Sequence, residues 1–425
     1  MNISINIGIN QGTININSVE FTGSSSKSAN DEGYADAENV VVQEQEVDKE
    51  NTVDFGIEKD VIVYQQEVDK EDTVDFSVEK DVIVHQQEVE EIAQQILEEI
   101  KEIYTPKKKD NVFLSGIYVE LHSEYRESNY YINKSERMYH CGSFLAYEVN
   151  KKGEKKLIKA NTCHVRLCPM CMWRRALKAY REMRVVYDYI QKDVEDSKFL
   201  LLTLTQKNVT SEELGQELDG ILYAFNKLTK RKEIKKFCLG FVRSLEITYN
   251  KKTDTYHPHI HMLIHTTNKL YAGRNYLSKQ DYIKLWREVA ELSYDPNIDI
   301  RRFKPKDKNK VGKELAEICK YSVKPSDYIY VHDESLTKRV TKVLDRDLSG
   351  RRLLSYGGTV REARKKLLFS DDISENDDIM IAEDVQADEQ GYIELYQWHF
   401  GEEQYKRLSG EERENMLKFV KRKKC

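Results

Sequence analysis

The chain has 425 residues, 40% of them hydrophobic, which is enough for two or three domains and at least one real core. No run approaches the roughly 18 apolar residues of a membrane span, and no basic segment leads into an apolar stretch at the start, so a cytoplasmic protein is expected. The net charge of −6 hides a segregation: residues 1–100 carry 24 acidic against 5 basic side chains, residues 371–425 carry 15 against 8, and residues 101–370 carry 54 basic against 34 acidic. A basic middle between acidic ends is the pattern of a polyanion-binding domain with solubilising tails, the plainer reading being an ordinary solvated surface.

The first residues, "MNISINIGINQGTININSVEF", alternate Ile with Asn or Ser and predict a hairpin turning near Gln11-Gly12. A repeat follows: "QEVDKENTVDFGIEKDVIVYQ" from Gln45 returns 21 residues later as "QEVDKEDTVDFSVEKDVIVHQ". Two acidic copies are too few for a solenoid, so residues 1–105 are expected to form a largely disordered extension. At its end Val89, Ile92, Ile96, Ile100 and Ile103 recur at helical spacing, a stripe fit to dock on the core or on a second copy of the chain.

Seven cysteines, an odd number in a chain expected to be intracellular, point to metal binding or inert thiols rather than disulfides. Cys141 stands in "HCGSF" and Cys163, Cys168 and Cys171 in "CHVRLCPMC". The two-residue gap of the last pair lets both thiolates reach one tetrahedral zinc, and four sulfurs make a closed, structural site; His140 and His164 can each replace one sulfur. The next segment, "MWRRALKAYREMR", puts Arg174, Arg175, Lys178, Arg181 and Arg184 on a predicted helix, either along a phosphate backbone or on a solvated face.

"KFLLLTLTQ" (198–206) and "FVRSLEITYN" (241–250) read as buried strands with a helical segment, 211–236, between them. Then "HPHIHMLIH" packs four of the ten histidines into nine positions. In a strand His257, His259, His261 and His265 point one way, and two imidazoles about 7 Å apart can converge on a metal above the sheet. Folding the hairpin about residue 253 sets Glu246 opposite His259 to His261. A His, His, Glu set leaves positions open for oxygen ligands; the alternatives are a zinc hydrolase site, or histidines that are only hydrogen-bonded at a sheet edge. Farther on, "GKELAEICKY" is a helical pattern ending before Pro325, and after residue 370 the cluster "SDDISENDDIMIAEDVQADEQ" marks an acidic tail.

These pieces in this order, with "KELAEICKYSVKPSDY" and "GRRLLSYGGTVREARKKL", resemble the rolling-circle plasmid replication initiators of the HUH endonuclease superfamily, in the group with a Cys-rich region before the nuclease motifs. The resemblance spans about 136–370. It implies an α+β fold: a central antiparallel sheet with the histidine motif on a middle strand and flanking helices, plus a zinc-stabilised module. The expected divisions are 1–105, a Cys-rich DNA-contact region at 106–197, a nuclease domain at 198–370 and a tail at 371–425.

The implied activity is a site-specific single-strand nick at a plasmid origin, with origin DNA, host helicase and host polymerase as partners. The family's nucleophile falls on Tyr321, with Glu317 beside it to activate water or assist a second strand transfer. The metal pair, for Mg2+ or Mn2+, falls on His259 and His261, with Glu246 as the acidic third ligand. Structural Zn2+ falls to Cys141, Cys163, Cys168 and Cys171. Arg174, Arg175, Lys178, Lys320 and Lys324 are the expected DNA contacts, His257 is a secondary candidate, His265 is taken as structural, and Tyr328 is a less favoured second nucleophile. The rival readings are a transposase or relaxase sharing the histidine pair, and a non-catalytic zinc-stabilised DNA-binding regulator.

Overall fold

The structure, a computed structural model, describes residues 2–10, 13–22, 76–125, 129–268, 276–303, 308–320, 322–367 and 391–421. The chain forms two compact units, residues 1–89 with 409–415, and residues 90–408 with 416–425.

In the first unit β1 (Asn2–Asn10) pairs antiparallel with β2 (Thr13–Thr22), the hairpin that the Ile alternation predicts. The first acidic repeat lies outside the described residues. Helix α1 (Phe76–Glu99) starts inside the second copy, so that copy is not wholly irregular. Its last turns belong to the second unit. They run through a π-helical turn, Ile100–Tyr104, into α2 (Thr105–Glu124), and Ala93, Ile96, Ile100 and Tyr104 are buried. The stripe therefore docks on the chain's own core.

The second unit is α+β with two antiparallel sheets. The smaller sheet begins after α3 (Tyr130–His140), with the hairpin of β3 (Phe144–Val149) and β4 (Lys155–Ala160). Helix α4 (Pro169–Asp193) leads into β5 (Ser197–Thr205), the first strand of the larger sheet. Then come α5 (Leu214–Lys230), the single turn α6 (Lys232–Lys235), β6 (Gly240–Asn250) and β7 (Thr255–Thr267). After α7 (Lys279–Val289), whose first turn Ser278 and Asp281 cap reciprocally, come β8 (Ile298–Phe303), α8 (Lys308–Cys319), α9 (Glu334–Leu348), β9 (Leu354–Gly357) and α10 (Gly358–Lys366).

The larger sheet runs β8-β5-β7-β6-β9, all antiparallel, with the histidine strand β7 in the centre. Because successive side chains in a strand face opposite ways, it has two distinct faces. Leu200, Leu202, Leu204, Leu245, Ile247, Ile260, Met262 and Ile264 bury one face against α5, α7 and α9. On the other face Phe199, Leu201, Val242 and Leu263 pack under α4, α8 and α10, and farther along the same strands this face turns polar. That polar end is where the site lies.

The folded chain does not end at 370 as the sequence reading had it. Residues 391–421 supply β10 (Tyr392–His399), β11 (Gln404–Arg407) and α11 (Gly410–Lys421), and β10 inserts between β11 and β3. Its apolar residues, Leu395 and Tyr396, are fully buried, and the acidic neighbourhood masked that signal. No helix among the described residues is long and apolar enough to cross a membrane.

Candidate active site

The register of the β6–β7 hairpin sets Glu246 opposite His259 and Ser244 opposite His261, while β5 sets Thr205 and Thr203 on their other sides. Glu246 is 1% exposed and His261 7% exposed, so these groups are desolvated and must find partners. They find each other: Glu246 Oε2 lies 2.9 Å from His261 Nε2, 3.2 Å from His259 Nε2 and 2.7 Å from Lys320 Nζ. From α8, Glu317 Oε1 comes within 3.8 Å of His261 Nε2 and 2.6 Å of Lys320 Nζ. Burial alone would raise the Glu246 carboxyl; its close contacts with His259, His261 and Lys320 outweigh it and hold the group well below the usual carboxylate range. Burial likewise lowers the Lys320 ammonium, but its two carboxylate partners leave it raised.

The outer nitrogens of the rings decide what the inner ones can do. His259 Nδ1 lies 3.2 Å from the carbonyl oxygen of His257, which can only accept, so Nδ1 carries the hydrogen. In the neutral ring Nε2 then holds a lone pair, aimed at a carboxylate oxygen. Two acceptors facing one another need a cation between them, a proton or a metal ion. His261 Nδ1 lies 3.1 Å from Thr203 Oγ1, a hydroxyl that can accept its hydrogen and so leave Nε2 with the lone pair. Neighbouring ligands on a divalent ion at metal–ligand distances of about 2.1 Å stand about 3.0 to 3.4 Å apart, and Glu246 Oε2 stands 2.9 and 3.2 Å from the two ring nitrogens. Glu246, His259 and His261 thus fit a divalent ion, with Thr203 and the His257 carbonyl orienting the rings.

The other two histidines do not join this set. The His257 ring lies tilted beside His259, centroids 5.4 Å apart, and its buried Nδ1 has no hydrogen-bond partner. His265 is fully buried, bonded through Nε2 to Ser197 Oγ at 3.1 Å and through Nδ1 to Thr359 Oγ1 at 2.7 Å, and burial pushes its pKa down to about 4. Tyr321 lies outside the described residues. Tyr328 is fully buried and donates to the Leu167 carbonyl at 2.7 Å, an anchoring role that withholds its hydroxyl from a substrate.

The β3–β4 hairpin carries Cys141 and Cys163 at its base, and the start of α4 carries Cys168 and Cys171. Cys141 and Cys168 Sγ are 3.5 Å apart, Cys141 and Cys171 3.5 Å, and Cys163 and Cys171 3.6 Å. Those separations are far too long for disulfides and close to the edges, about 3.8 Å, of a tetrahedron with zinc–sulfur distances of about 2.3 Å. Backbone amides of Val165 and Cys171 donate to Cys163 and Cys168 sulfurs at 3.4 Å, and Gly142 turns the chain at φ +67° directly after Cys141. The buried Lys108 ammonium, bonded to the Tyr139 and Cys141 carbonyls at 2.5 and 3.0 Å, suits a four-thiolate shell whose charge zinc only half cancels. Neither alternative histidine enters this cluster; the His164 ring bonds Thr162 Oγ1 at 3.0 Å instead.

The expected row of DNA contacts divides. Arg174 is 6% exposed, 5.6 Å over the Trp173 ring and hydrogen-bonded to buried Tyr104, so the reading of it as a phosphate contact is corrected: it is part of the core. Arg175 donates to the His164 carbonyl at 2.9 Å, Lys178 is half-buried on α4, and Lys324 is exposed. Sequence reading missed Thr203 and Lys108, which need the cross-strand register and the tertiary packing to be seen.

A family described as replication protein matches residues 154–406. A "Protein rep" from a Bacillus species is 37% identical over 259 residues, covering 57% of this chain and 83% of that protein. One from Staphylococcus aureus is 38% identical over 238 residues, 55% of this chain and 98% of its own length. Another, from Streptococcus pneumoniae, is 34% identical over 262 residues, 61% and 79%. No solved structure matches the chain. With more than half its length in the family match, the chain belongs to the replication-protein family, and its likeness to rolling-circle plasmid initiators stands.

Proposed function

We propose that this chain starts plasmid rolling-circle replication by nicking, and later rejoining, one strand at the double-strand origin. The observation that carries the reading is the convergence of His259 Nε2, His261 Nε2 and Glu246 Oε2 on one point, with Glu317 and Lys320 arriving from a helix whose chain continues into Tyr321. The role of Tyr321 itself is taken from the family motif.

The phenol oxygen attacks the scissile phosphorus, the bond to the 3' oxygen breaks, and the 5' phosphate remains on the tyrosine. The phenolic proton passes to a base and the departing 3' oxygen gains one. A phenol with a pKa near 10 is a weak nucleophile at neutral pH, so the phosphate must be made more electrophilic. His259, His261 and Glu246 would hold a Mg2+ or Mn2+ ion, which when bound would supply that polarisation. One phosphodiester replaces another, so the step is reversible and can also join. Glu317, part-exposed and held by Lys320, is placed to take a proton from water or from a 3' hydroxyl in the second transfer. Lys320, Lys324, Arg175 and Lys178 hold the strand's phosphates. Zinc held by Cys141, Cys163, Cys168 and Cys171 would keep the start of α4 in place. The freed 3' hydroxyl primes a host polymerase behind a host helicase.

The test incubates the protein with Mn2+ and a labelled single-stranded oligonucleotide from its own replicon's origin, beside Tyr321→Phe. The parent is expected to form a covalent protein–DNA adduct and the variant none. An adduct that persists in the variant moves the nucleophile elsewhere.

A further inference from the structure

A cleft of about 360 Å³ opens beside the metal-binding cluster, and the nicking chemistry does not require it. Its floor is apolar: Met172, Ala176 and Ala179 lie on one face of α4, and Val323 and Leu354 face them. Its rim is cationic. Arg166, Arg175 and Arg352 line it, and among the described residues none that lines it is an Asp or Glu. At one end it reaches Ser244, which shares a strand face with Glu246, and Lys320, whose Nζ is 2.7 Å from Glu246 Oε2. Lys320 and Ser322, the residues on either side of Tyr321 in the chain, both line it.

We infer that this cleft holds one nucleotide of the substrate strand next to the scissile phosphodiester, its phosphate on Arg166 and Arg352 and its base against Met172 and the α4 alanines. An apolar slot under a guanidinium rim is what a base and its phosphate require together, and its volume lies in the range of small-ligand sites. Arg166 sits in the loop between Cys163 and Cys168, and Cys168 caps α4, so a metal ion held by the cysteines would also shape one wall of the slot. The zinc module is in this sense part of the grip on DNA. The inference rests on a DNA strand being the substrate, and it adds where and how that strand is held.

The test measures binding without catalysis. Fluorescence anisotropy with labelled oligothymidylate, in EDTA too dilute to strip the cysteine site, compares the parent with Arg166→Ala, Arg352→Ala, and Arg287→Ala on the opposite face of the sheet. Each cleft variant is expected to bind about five- to tenfold more weakly and to lower the slope of log affinity against log salt by about 0.7, while Arg287→Ala matches the parent. An abasic oligomer of equal length is expected to bind the parent at least about fivefold more weakly than oligothymidylate, and Met172→Ala to narrow that gap. Unchanged affinity and slope in both cleft variants overturn the inference. So does a slope change with no preference for bases, which would leave phosphate contacts and no nucleotide slot. Equal melting temperatures and zinc contents are required of every variant, and Arg166→Lys covers the case in which Arg166→Ala fails to fold. If the parent forms its adduct while these outcomes fail, the cleft alone is refuted; if no adduct forms, the binding result still stands or falls by itself.

Discussion

Thr203→Val offers a direct test of the metal centre, because valine has the shape of threonine and lacks only the hydroxyl. Thr203 Oγ1 lies 3.1 Å from His261 Nδ1, on a strand fixed by pairing on both sides to β7 and β8. If Nε2 binds a metal ion, Nδ1 carries the hydrogen and Thr203 accepts it. Loss of such an orienting partner lowers metal affinity about 10- to 100-fold, or about 1.4 to 2.7 kcal/mol. The orphaned Nδ1–H also costs stability, near the lower end of about 1–3 kcal/mol because Thr203 is only partly buried. Titration with Mn2+, followed by electron paramagnetic resonance, separates the two effects from a thermal melt. The expected result is weaker Mn2+ binding with an adduct rate that returns close to the parent's at saturating Mn2+. An affinity within about twofold of the parent's, or a depressed saturated rate at unchanged affinity, would refute Nε2 ligation by His261.

Other expectations follow from single contacts. Tyr328→Phe removes the bond to the Leu167 carbonyl and should cost about 1 kcal/mol in urea unfolding while leaving the adduct yield unchanged; loss of the adduct at unchanged stability would make Tyr328 a reacting group. Stripping metal with a strong chelator should release one zinc per chain and lower the melting temperature, and Cys168→Ser should be purified with little zinc; full zinc content in that variant would remove Cys168 from the shell. His265 has a folded pKa of about 4 against an ordinary 6.5, so its contribution to stability is complete above pH 6.5 and is lost as pH falls towards 4, where only the unfolded chain takes up the proton. The loss should reach about 3 kcal/mol, and the pH slope of stability over that window should be shallower in His265→Gln; identical slopes would contradict it.

The histidine strand was legible because alternation at period two survives in any antiparallel sheet, and the hairpin about residue 253 fixes which carboxylate meets which imidazole. The four-sulfur cluster was legible because its spacing is set by metal coordination, which depends little on the surrounding fold. Arg174 was misread because a row of basic residues at helical spacing does not say which of them turns inward, and Trp173 and Tyr104 provide the inward environment only in three dimensions. Strands β10 and β11 went unseen because "GYIELYQWHF" is short and lies beside an acidic cluster that reads as a tail. Thr203 lies within a legible strand, yet its role depends on a partner that lies 58 residues farther along the chain.

The insertion of β10 between β11 and β3 has a consequence for how the molecule is made. Strand β3 leaves the ribosome with one edge unpaired, and the strand that covers it follows roughly 240 residues later, a wait of about 12 to 50 seconds at ordinary elongation rates. Until then Leu145, Tyr147 and Val149 sit on an open edge, and the Tyr405 hydroxyl that later ties down the Gly142 carbonyl beside Cys141 does not yet exist. A nascent chain cut short after α10 would hold every residue proposed for nicking and still be exposed to edge-to-edge aggregation. Closure of the smaller sheet would thus wait for β10 and β11, long after the cysteine and histidine residues are made.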